Sequence, residues 1–296
     1  MLAGGEPMDL TVVNPEIGDQ GAELALIAAL VPALADRSGI DVGSQKGAVA
    51  AALRRSGLGP IWLIEPHPEN AERLRKRFGD DPSARVLELA IGERDGKGAL
   101  HLAEDASGAS LDAFHSLHPE SFGAGLTWNG SVPVQVRSLD SLHSEGEIPG
   151  RVGLLKIDAE GADAEVLRGG AALAAEIVMV EYWRDLPGTL GPCPYELGEL
   201  RALVEPLGPR RFLYVQHGRR HLSIGRWDTA DPRSGEWGNL VFVADSLVQP
   251  AEAALPALDR ALHERAERLI EEQEVAAQER LELIERLSAE QRDAAE

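Results

Sequence analysis

The chain has 296 residues, 44% of them hydrophobic, and a formal net charge of -20. This length and apolar content suit one large α/β domain with an appended segment, and they exclude a small domain held together by disulfides or metals. The acidic balance disfavours binding to nucleic-acid phosphates and favours small molecules, glycans or basic proteins as partners.

Sequence features also predict a soluble cytoplasmic protein without a membrane span. Cys193 is the single cysteine, so an intrachain disulfide is excluded. The first residues lack the basic and apolar regions of a secretion signal. The longest apolar run, residues 24–34, is too short to cross a bilayer and contains Pro32.

The first predicted element is a helix over residues 21–36, with Asp19 as a possible cap and Pro32 as a break. Residues 1–38 are therefore expected to form a helical segment that packs on the sheet. The sheet itself is expected within a catalytic domain over residues 39–248.

A short apolar strand from Gly39 ends in an acid and a glycine turn. The important residues of this turn are Asp41, Gly43, Ser44 and Gly47, and a helix over residues 48–55 follows. This order of strand, turn and helix brings the main chain close to a ligand at the carboxyl end of a parallel strand. An ordinary strand-to-helix loop is the alternative.

The acids near this turn favour S-adenosylmethionine over a dinucleotide. The G-x-G-x-x-G spacing is missing, and Asp41 would repel a pyrophosphate, whereas it suits the cationic methionine end of S-adenosylmethionine. Residues 61–64 predict an apolar strand followed by Glu65, which stands where an acid usually accepts two ribose hydroxyls. Because both nucleosides contain ribose, Glu65 alone does not decide between them.

The following elements complete a doubly wound half and then become less regular. Residues 69–78 predict a helix, and residues 85–90 predict a third strand. Two alternating segments, 98–102 and 132–137, are expected to pair as antiparallel strands. The connection between them, residues 103–130, is interpreted either as a substrate lid or as a disordered loop.

Two later strands also end in acids. Residues 151–158 form an apolar strand that ends in Asp158, and residues 177–181 form another that ends in Glu181. The other predicted elements are a helix over residues 163–168, a helix over residues 196–204, and strands over residues 211–216, 221–225 and 240–243, with a hairpin at His217 and Gly218. Asp41, Asp158 and Glu181 are thus expected at one rim of the sheet.

Residues 257–296 contain neither glycine nor proline and predict one long helix. Leu262, Leu269, Ala276 and Leu283 recur every seven residues, although charged residues interrupt the pattern. The preferred interpretation is a two-chain coiled coil that makes the protein a homo-oligomer. A solvated single helix and a helix folded back on the body are the alternatives.

Several motifs resemble the FkbM family of S-adenosylmethionine-dependent methyltransferases over residues 39–244. These motifs are Asp41-Val42-Gly43-Ser44-Gln45-Lys46-Gly47, Glu65-Pro66-His67-Pro68, Ser138-Leu139-Asp140 and Leu155-Lys156-Ile157-Asp158-Ala159-Glu160-Gly161. The last motif is the most specific, whereas the glycine turn fits any class I methyltransferase. Asp163 departs from the family pattern, in which glutamate is more frequent.

The resemblance implies an α/β fold of the Rossmann-like class I type, with a seven-stranded, mostly parallel sheet flanked by helices and a last strand that is antiparallel. It also implies O-methylation of a hydroxyl on a sugar, a glycan or a natural product. The alternative to an enzyme is a catalytically idle tethering module with a methyltransferase-like body, organised by the C-terminal helix.

The predicted cofactor site assigns one part of S-adenosylmethionine to each strand end. Asp41 and Gly43 are expected to hold the methionine part and Glu65 the ribose, and a turn at Ala90 and Ile91 is expected beside the adenine. The remaining residues predicted to line this site are Ser44, Gly47 and Pro66.

Catalysis is assigned to four residues. Asp158 is expected to face the reacting centre with Glu160 or Glu181 as its partner, although capping a helix is an alternative role for Asp158. Alternation along the strand places Lys156 on the same face as Asp158, so Lys156 either pairs with it or lowers the pKa of a nearby hydroxyl. A weak Mg²⁺ site between Asp158 and Glu181 is also considered.

Histidines and aromatic residues are interpreted without catalytic roles. His217 and His221 flank the hairpin and are expected at the surface, with a general-base role as the alternative. Trp128, Tyr182 and Trp183 are expected in the core, with stacking on a sugar ring as the alternative.

Overall fold

The computed structural model describes residues 20–261, apart from residues 106, 109, 112–113, 123–125, 187–190 and 219–220, together with residues 264, 275, 278 and 280. The cap predicted at Asp19 lies outside these residues. Within them, no helix has the length and apolar character needed to cross a membrane.

The described strands form a large sheet and a small one. In chain order they are β1 (Gly39–Val42), β2 (Ile61–Ile64), β3 (Ala84–Leu87), β4 (Ala90–Ile91), β5 (Gly96–Glu104), β6 (Thr127–Arg137), β7 (Arg151–Ile157), β8 (Ala174–Trp183), β9 (Arg211–Gly218), β10 (His221–Ile224) and β11 (Trp237–Val243). The large sheet has the order β10-β9-β11-β8-β7-β1-β2-β3.

Strands β3, β2, β1, β7 and β8 of the large sheet are parallel, and the last strand of the chain, β11, is antiparallel to both of its neighbours. This topology confirms the predicted mostly parallel sheet with an antiparallel last strand. The described residues give eight strands where the resemblance implies seven, because β10 pairs with β9 and adds an edge strand.

Helices cover both faces of the large sheet. They are α1 (Gly21–Leu30), α2 (Ala48–Arg55), α3 (Pro68–Phe78), α4 (Leu139–Ser144), α5 (Asp163–Arg168) and α6 (Leu197–Val204). Because side chains alternate along a strand, Leu154 packs on the face with α1, α2 and α3, whereas Leu155 packs on the face with α4, α5 and α6. As predicted, α1 stops before Pro32, which lies in a 3₁₀ turn over Val31–Ala33.

The small sheet has the order β4-β6-β5 and corrects the predicted third strand. Residues 85–90 are not one strand: β3 ends at Leu87, and Ala90 begins β4, which pairs with β6. The antiparallel pairing predicted for residues 98–102 and 132–137 is confirmed, with Gly98 opposite Val134. The pattern of apolar and polar residues alone could not show that the chain passes from the large sheet to the small one between β3 and β4.

The C-terminal helix begins at residue 245 rather than at 257. Pro250 and Pro256 lie within it, so a start predicted from the absence of proline after residue 256 is too late. Leu247 and Leu258 belong to the core on the α1 face, so this helix is folded back on the body as far as residue 258. The heptad positions from Leu262 onward lie outside the described residues, and the coiled coil stays a prediction.

Candidate active site

The turn after β1 is closed by contacts within the protein. The amides of Gly43 and Ser44 donate to the Ile64 carbonyl at 3.0 and 3.1 Å, and the amide of Gln45 donates to Glu65 Oε2 at 2.8 Å. Ser44 Oγ also donates to the Asp41 carbonyl at 2.8 Å. A pyrophosphate-binding loop directs such amides at its ligand. These amides therefore do not form a dinucleotide site.

The two turn glycines are required by packing. Gly43 and Gly47 have φ angles of 76° and 78°, which favour glycine. A Cβ on Gly43 would lie 1.8 Å from the Asp158 carbonyl oxygen, and one on Gly47 would lie 2.6 Å from the Phe78 ring. Packing against protein atoms thus already requires glycine at both positions, and the close approach of a ligand stays a prediction.

Glu65 lies at the end of β2 and faces the same turn. It is 6% exposed, and its Oε1 accepts from the His67 amide at 2.8 Å, while Oε2 accepts from Gln45. Burial raises the pKa of Glu65 to about 7, although both amides act in the opposite direction. The Asn70 side chain also hydrogen-bonds to Glu65, and with about four lone pairs the carboxylate retains capacity to accept a hydroxyl group.

The other residues predicted near the nucleoside have different environments. Pro66 is half-buried in the loop between β2 and α3. Ala90 and Ile91 form β4 rather than the predicted turn, and they are 4% and 2% exposed. Because their side chains pack in the core, a contact with adenine would have to use their main chain or their flanking residues.

Lys156 connects two carboxylates on the α1 face of the sheet. In the register of β1 and β7, Asp41 is the neighbour of Lys156. Lys156 Nζ lies 3.1 Å from Asp41 Oδ1 and 3.4 Å from Asp158 Oδ2. The predicted pairing with Asp158 is confirmed. Asp41, however, is the nearer partner, so it is not a free anion for the methionine end.

Burial and charge act against each other in this trio. Burial lowers the pKa of Lys156, but the charges of Asp41 and Asp158 outweigh it and raise the pKa overall. Burial also raises the pKa of Asp41, and Lys156 opposes this increase. The side chains of Lys156 and Asp41 are 1% exposed, whereas that of Asp158 is 22% exposed. Asp158 is therefore the member that a ligand can reach.

Glu160 and Glu181 lie beside Asp158, as the sequence predicts. Ile157 pairs with Val180 across β7 and β8, which places the next residues, Asp158 and Glu181, side by side. Burial raises the pKa of Glu160 and of Glu181 well above the usual range, and the charge of Asp158 raises both further. Carboxyl groups with raised pKa values are typical of general acids and bases.

Asp158 does not cap a helix, so that alternative role is wrong. The residue that precedes α5 is Ala162. Asp158 is separated from Ala162 by a turn in which Glu160 has a φ of 49°, a main-chain conformation that few residues other than glycine adopt. The chain thereby turns back over the strand end and keeps both carboxylates at the rim.

Two residues of the cluster were missed by sequence reasoning. Asp163 is fully buried, and burial together with the charge of Asp158 raises its pKa to about 6. Tyr195 is 5% exposed and donates from its hydroxyl to the Glu181 carbonyl at 3.3 Å. The sequence did mark Asp163, because it stands where the family more often has glutamate. Nothing in the sequence indicates that Tyr195 reaches the cluster.

The connection between β5 and β6 contacts the turn that carries Glu160. Ser116 Oγ donates to the Glu160 carbonyl at 2.7 Å, and the main chain of Ser116 pairs with His101 of β5. His118 Nε2 lies 3.0 Å from Glu165 Oε1 on α5. The described parts of this connection therefore form a wall beside the site, as a lid in its closed position would. Movement of this wall stays a prediction.

Two interpretations of single residues can be compared with the structure. His217 is 5% exposed, so its predicted surface position is wrong. Trp183 is 1% exposed and donates from Nε1 to the Gly191 carbonyl, which confirms its core position. Tyr182 and Trp128 are half-buried.

The suggested Mg²⁺ site has no support. Among the described residues, no group of three or more His, Cys, Asp or Glu side chains is arranged to hold a metal ion. Asp158 is instead paired with Lys156 at 3.4 Å.

The strand order and the position of the site define the class of protein. A mostly parallel sheet of order β3-β2-β1-β7-β8, extended by antiparallel β11, carries a turn after β1, acids directly after β2 and β7, and Glu181 near the end of β8. This is the Rossmann-like fold of class I methyltransferases.

The family is established by comparison. The model of the methyltransferase FkbM domain matches residues 41–205, and the chain belongs to this family. The 2-O-methyltransferase NoeI of Sinorhizobium fredii (strain NBRC 101917 / NGR234) is 28% identical over 137 residues, which are 44% of this chain and 56% of NoeI. The chain thus spans little more than half the length of this curated relative.

Solved structures show more distant similarity. The N-terminal domain of EvdMO1 with SAH bound has a TM-score of 0.39 and 13% identity, and the match covers 77% of this chain and 84% of that one. The Burkholderia thailandensis 1,6-didemethyltoxoflavin-N1-methyltransferase has a TM-score of 0.38 and 12% identity, with 78% and 81% covered. Similarity at this level carries no conclusion about ligand or substrate.

Proposed function

We propose that the protein transfers a methyl group from S-adenosylmethionine to a hydroxyl of a sugar, a glycan or another natural product. The observation that carries this proposal is the charge of the site. Six carboxyl groups, those of Asp41, Glu65, Asp158, Glu160, Asp163 and Glu181, influence one another's pKa values at this rim of the sheet, whereas Lys156 supplies one ammonium group beside Asp41 and Asp158. Such a site suits a ligand with a sulfonium and an ammonium group.

The donor set also fits the neutral parts of this cofactor. Glu65 retains lone pairs for ribose hydroxyls, and the closed turn after β1 offers no amide row for phosphates. The cofactor supplies an electrophilic methyl group when it is bound. The protein has to orient an acceptor oxygen towards that group and to remove its proton.

Proton removal is assigned to Glu181, with Glu160 beside it. Their raised pKa values make both carboxylates, once ionised, stronger bases than an ordinary carboxylate and so better able to take a proton from a hydroxyl. Glu181 belongs to β8, whose pairing on both sides fixes its main chain. Glu160 is positioned by Ser116. NoeI is a 2-O-methyltransferase by name, and this supports an oxygen acceptor for the present chain.

The first test is calorimetric binding of S-adenosylmethionine and S-adenosylhomocysteine. Wild type is expected to bind both, and Glu65→Gln is expected to weaken both by about tenfold or more, because a charged acceptor for the ribose is lost. Glu88→Gln is a matched control, since Glu88 is an exposed acid after β3 that pairs with Arg75 at 2.7 Å. Absence of binding to wild type would contradict the proposal and favour the idle tethering module.

The raised pKa of Glu65 predicts that nucleoside binding depends on pH. Ribose hydroxyls bind best to the ionised carboxylate, and the free protein holds a proton on Glu65 below about pH 7. Affinity is therefore expected to rise by up to about tenfold between pH 6 and pH 8. The probe is 5′-methylthioadenosine, which has ribose but no titrating amino acid. A flat profile in wild type, or the same slope in Glu65→Gln, would be incompatible with this role.

A further inference from the structure

Asp158 is held on one side of its carboxylate. Gln20 Nε2 donates to Asp158 Oδ2 at 3.0 Å, and Lys156 Nζ lies 3.4 Å from the same oxygen. Among the described residues, no hydrogen bond or ion pair is made by Asp158 Oδ1. Because the side chain of Asp158 is 22% exposed, Oδ1 is the oxygen available to a ligand.

Gln20 presents a second acceptor at the same place. Its Oε1 is buried and accepts no hydrogen bond from the described residues. Orphaned buried acceptors are rare in folded proteins and indicate an unmet partner. Gln20 directly precedes α1, so its position depends on how that helix is fixed.

Helix α1 is anchored by a buried polar cluster. Glu23, which is fully buried, accepts at Oε1 from Asn239 Nδ2 at 2.8 Å and lies 2.6 Å from His217 Nε2. The His217 ring stacks on Trp237 with centroids 4.3 Å apart. Since Asn239 and Trp237 belong to β11 and His217 to β9, the cluster fixes the first turn of α1 to the antiparallel part of the sheet.

Gln20 and the polar cluster that fixes α1 together form a bridge from the antiparallel strands to Asp158. The residues of this bridge lie outside the matched family domain. The family model covers residues 41–205, whereas Gln20, Glu23, His217 and Asn239 come from before and after it. Contacts thus connect β9 and β11 through α1 to Asp158. Residues outside the family domain therefore hold the carboxylate of Asp158, which lies within that domain.

We propose that Gln20 is a positioning residue that holds Asp158 Oδ1 towards the reacting centre, where the carboxylate favours a positively charged sulfonium over a neutral thioether. The proposal rests on the proposed cofactor. Its consequence is a preference for S-adenosylmethionine over S-adenosylhomocysteine that depends on Gln20. This preference can be measured without knowing the methyl acceptor.

The test is the ratio of the two dissociation constants in wild type, Gln20→Ala and Gln20→Met. Methionine keeps the length of the side chain and removes the donor. Both variants are expected to weaken S-adenosylmethionine about five- to tenfold and S-adenosylhomocysteine less than twofold, because a hydrogen bond to a charged group is lost. A purely structural role would weaken both ligands equally. An unchanged ratio would overturn the inference.

The anchor is tested by a double-mutant cycle. Glu23→Gln keeps an acceptor oxygen for Asn239 and is expected to retain most of the preference, whereas Glu23→Ala is expected to lose it. Combined with Gln20→Ala, Glu23→Ala should add little, because both act through Asp158. Additive losses would refute the bridge. If Glu23→Ala does not fold, the Gln20 variants decide alone. Wild type that binds neither ligand would refute the proposed function itself, and the inference with it.

Discussion

Replacing Lys156 by methionine is expected to lower the free energy of unfolding by about 3–5 kcal/mol, because the change leaves buried charge without a partner. Asp41 is 1% exposed at its side chain and has Lys156 as its ion-pair partner at 3.1 Å. Urea unfolding at pH 7 measures the effect. A loss below about 1 kcal/mol would show that the pair does not carry this part of the fold.

The pH dependence of this loss has a definite sign. Burial raises the pKa of Asp41, and without Lys156 only the weaker effect of the Ser44 side chain opposes that increase. The folded variant then binds a proton that the unfolded chain has released, so its stability falls as pH rises through the raised pKa. The deficit of Lys156→Met is therefore expected to be larger at pH 8 than at pH 5.

Two further variants separate charge from packing. Asp41→Asn combined with Lys156→Met removes both charges and is expected to restore more than half of the lost stability. Lys76→Met is the surface control, because Lys76 pairs with Glu72 at 2.7 Å while 73% exposed. It should change stability by less than about 0.5 kcal/mol. Failure of the double variant to recover would assign the loss to packing of the lysine chain.

Glu181→Gln is expected to reduce kcat by about a hundredfold or more, because it removes the assigned base. The measurement uses an acceptor found by screening hydroxylated compounds with S-adenosylmethionine. Wild-type kcat should rise with pH as the carboxyl group with the raised pKa ionises, and this rise should disappear in the variant. Affinity for S-adenosylmethionine should fall much less than kcat, since only one of six carboxyl groups is replaced and glutamine keeps the size of the side chain.

A control for this variant lies on the same strand. Glu176 is also in β8, is 6% exposed, and accepts from the amides of Ala35 and Asp36 at the far end of the sheet. Glu176→Gln is expected to reduce stability and to leave kcat within about twofold. If Glu160→Gln shows the large loss of kcat and Glu181→Gln keeps the wild-type kcat, the base is Glu160 and the assignment to Glu181 is wrong.

The sequence predicted the parts of the fold that depend on local pattern. Apolar runs with an acid predicted β1, β2, β7 and β8, and their parallel order brought Asp158 and Glu181 to one rim. The predicted ends at Asp41 and Glu181 are too early, because β1 continues to Val42 and β8 to Trp183. Pro32 stopped α1 because a proline removes a helix hydrogen bond and clashes with the preceding turn. Pro250 and Pro256 did not stop the C-terminal helix, because packing of residues such as Leu247 on the core outweighs that cost.

The sequence by itself determined the fold class, the family and the chemical character of the strand ends, because these follow from residue types at short spacing. Only the tertiary structure decided which side chains contact each other. It placed Lys156 nearer to Asp41 than to Asp158, filled the space beside Gly43 with the Asp158 carbonyl, and brought Gln20 into contact with Asp158. The physical reason is that pairing of buried charges depends on distances between segments far apart in the chain, and no local pattern encodes those distances.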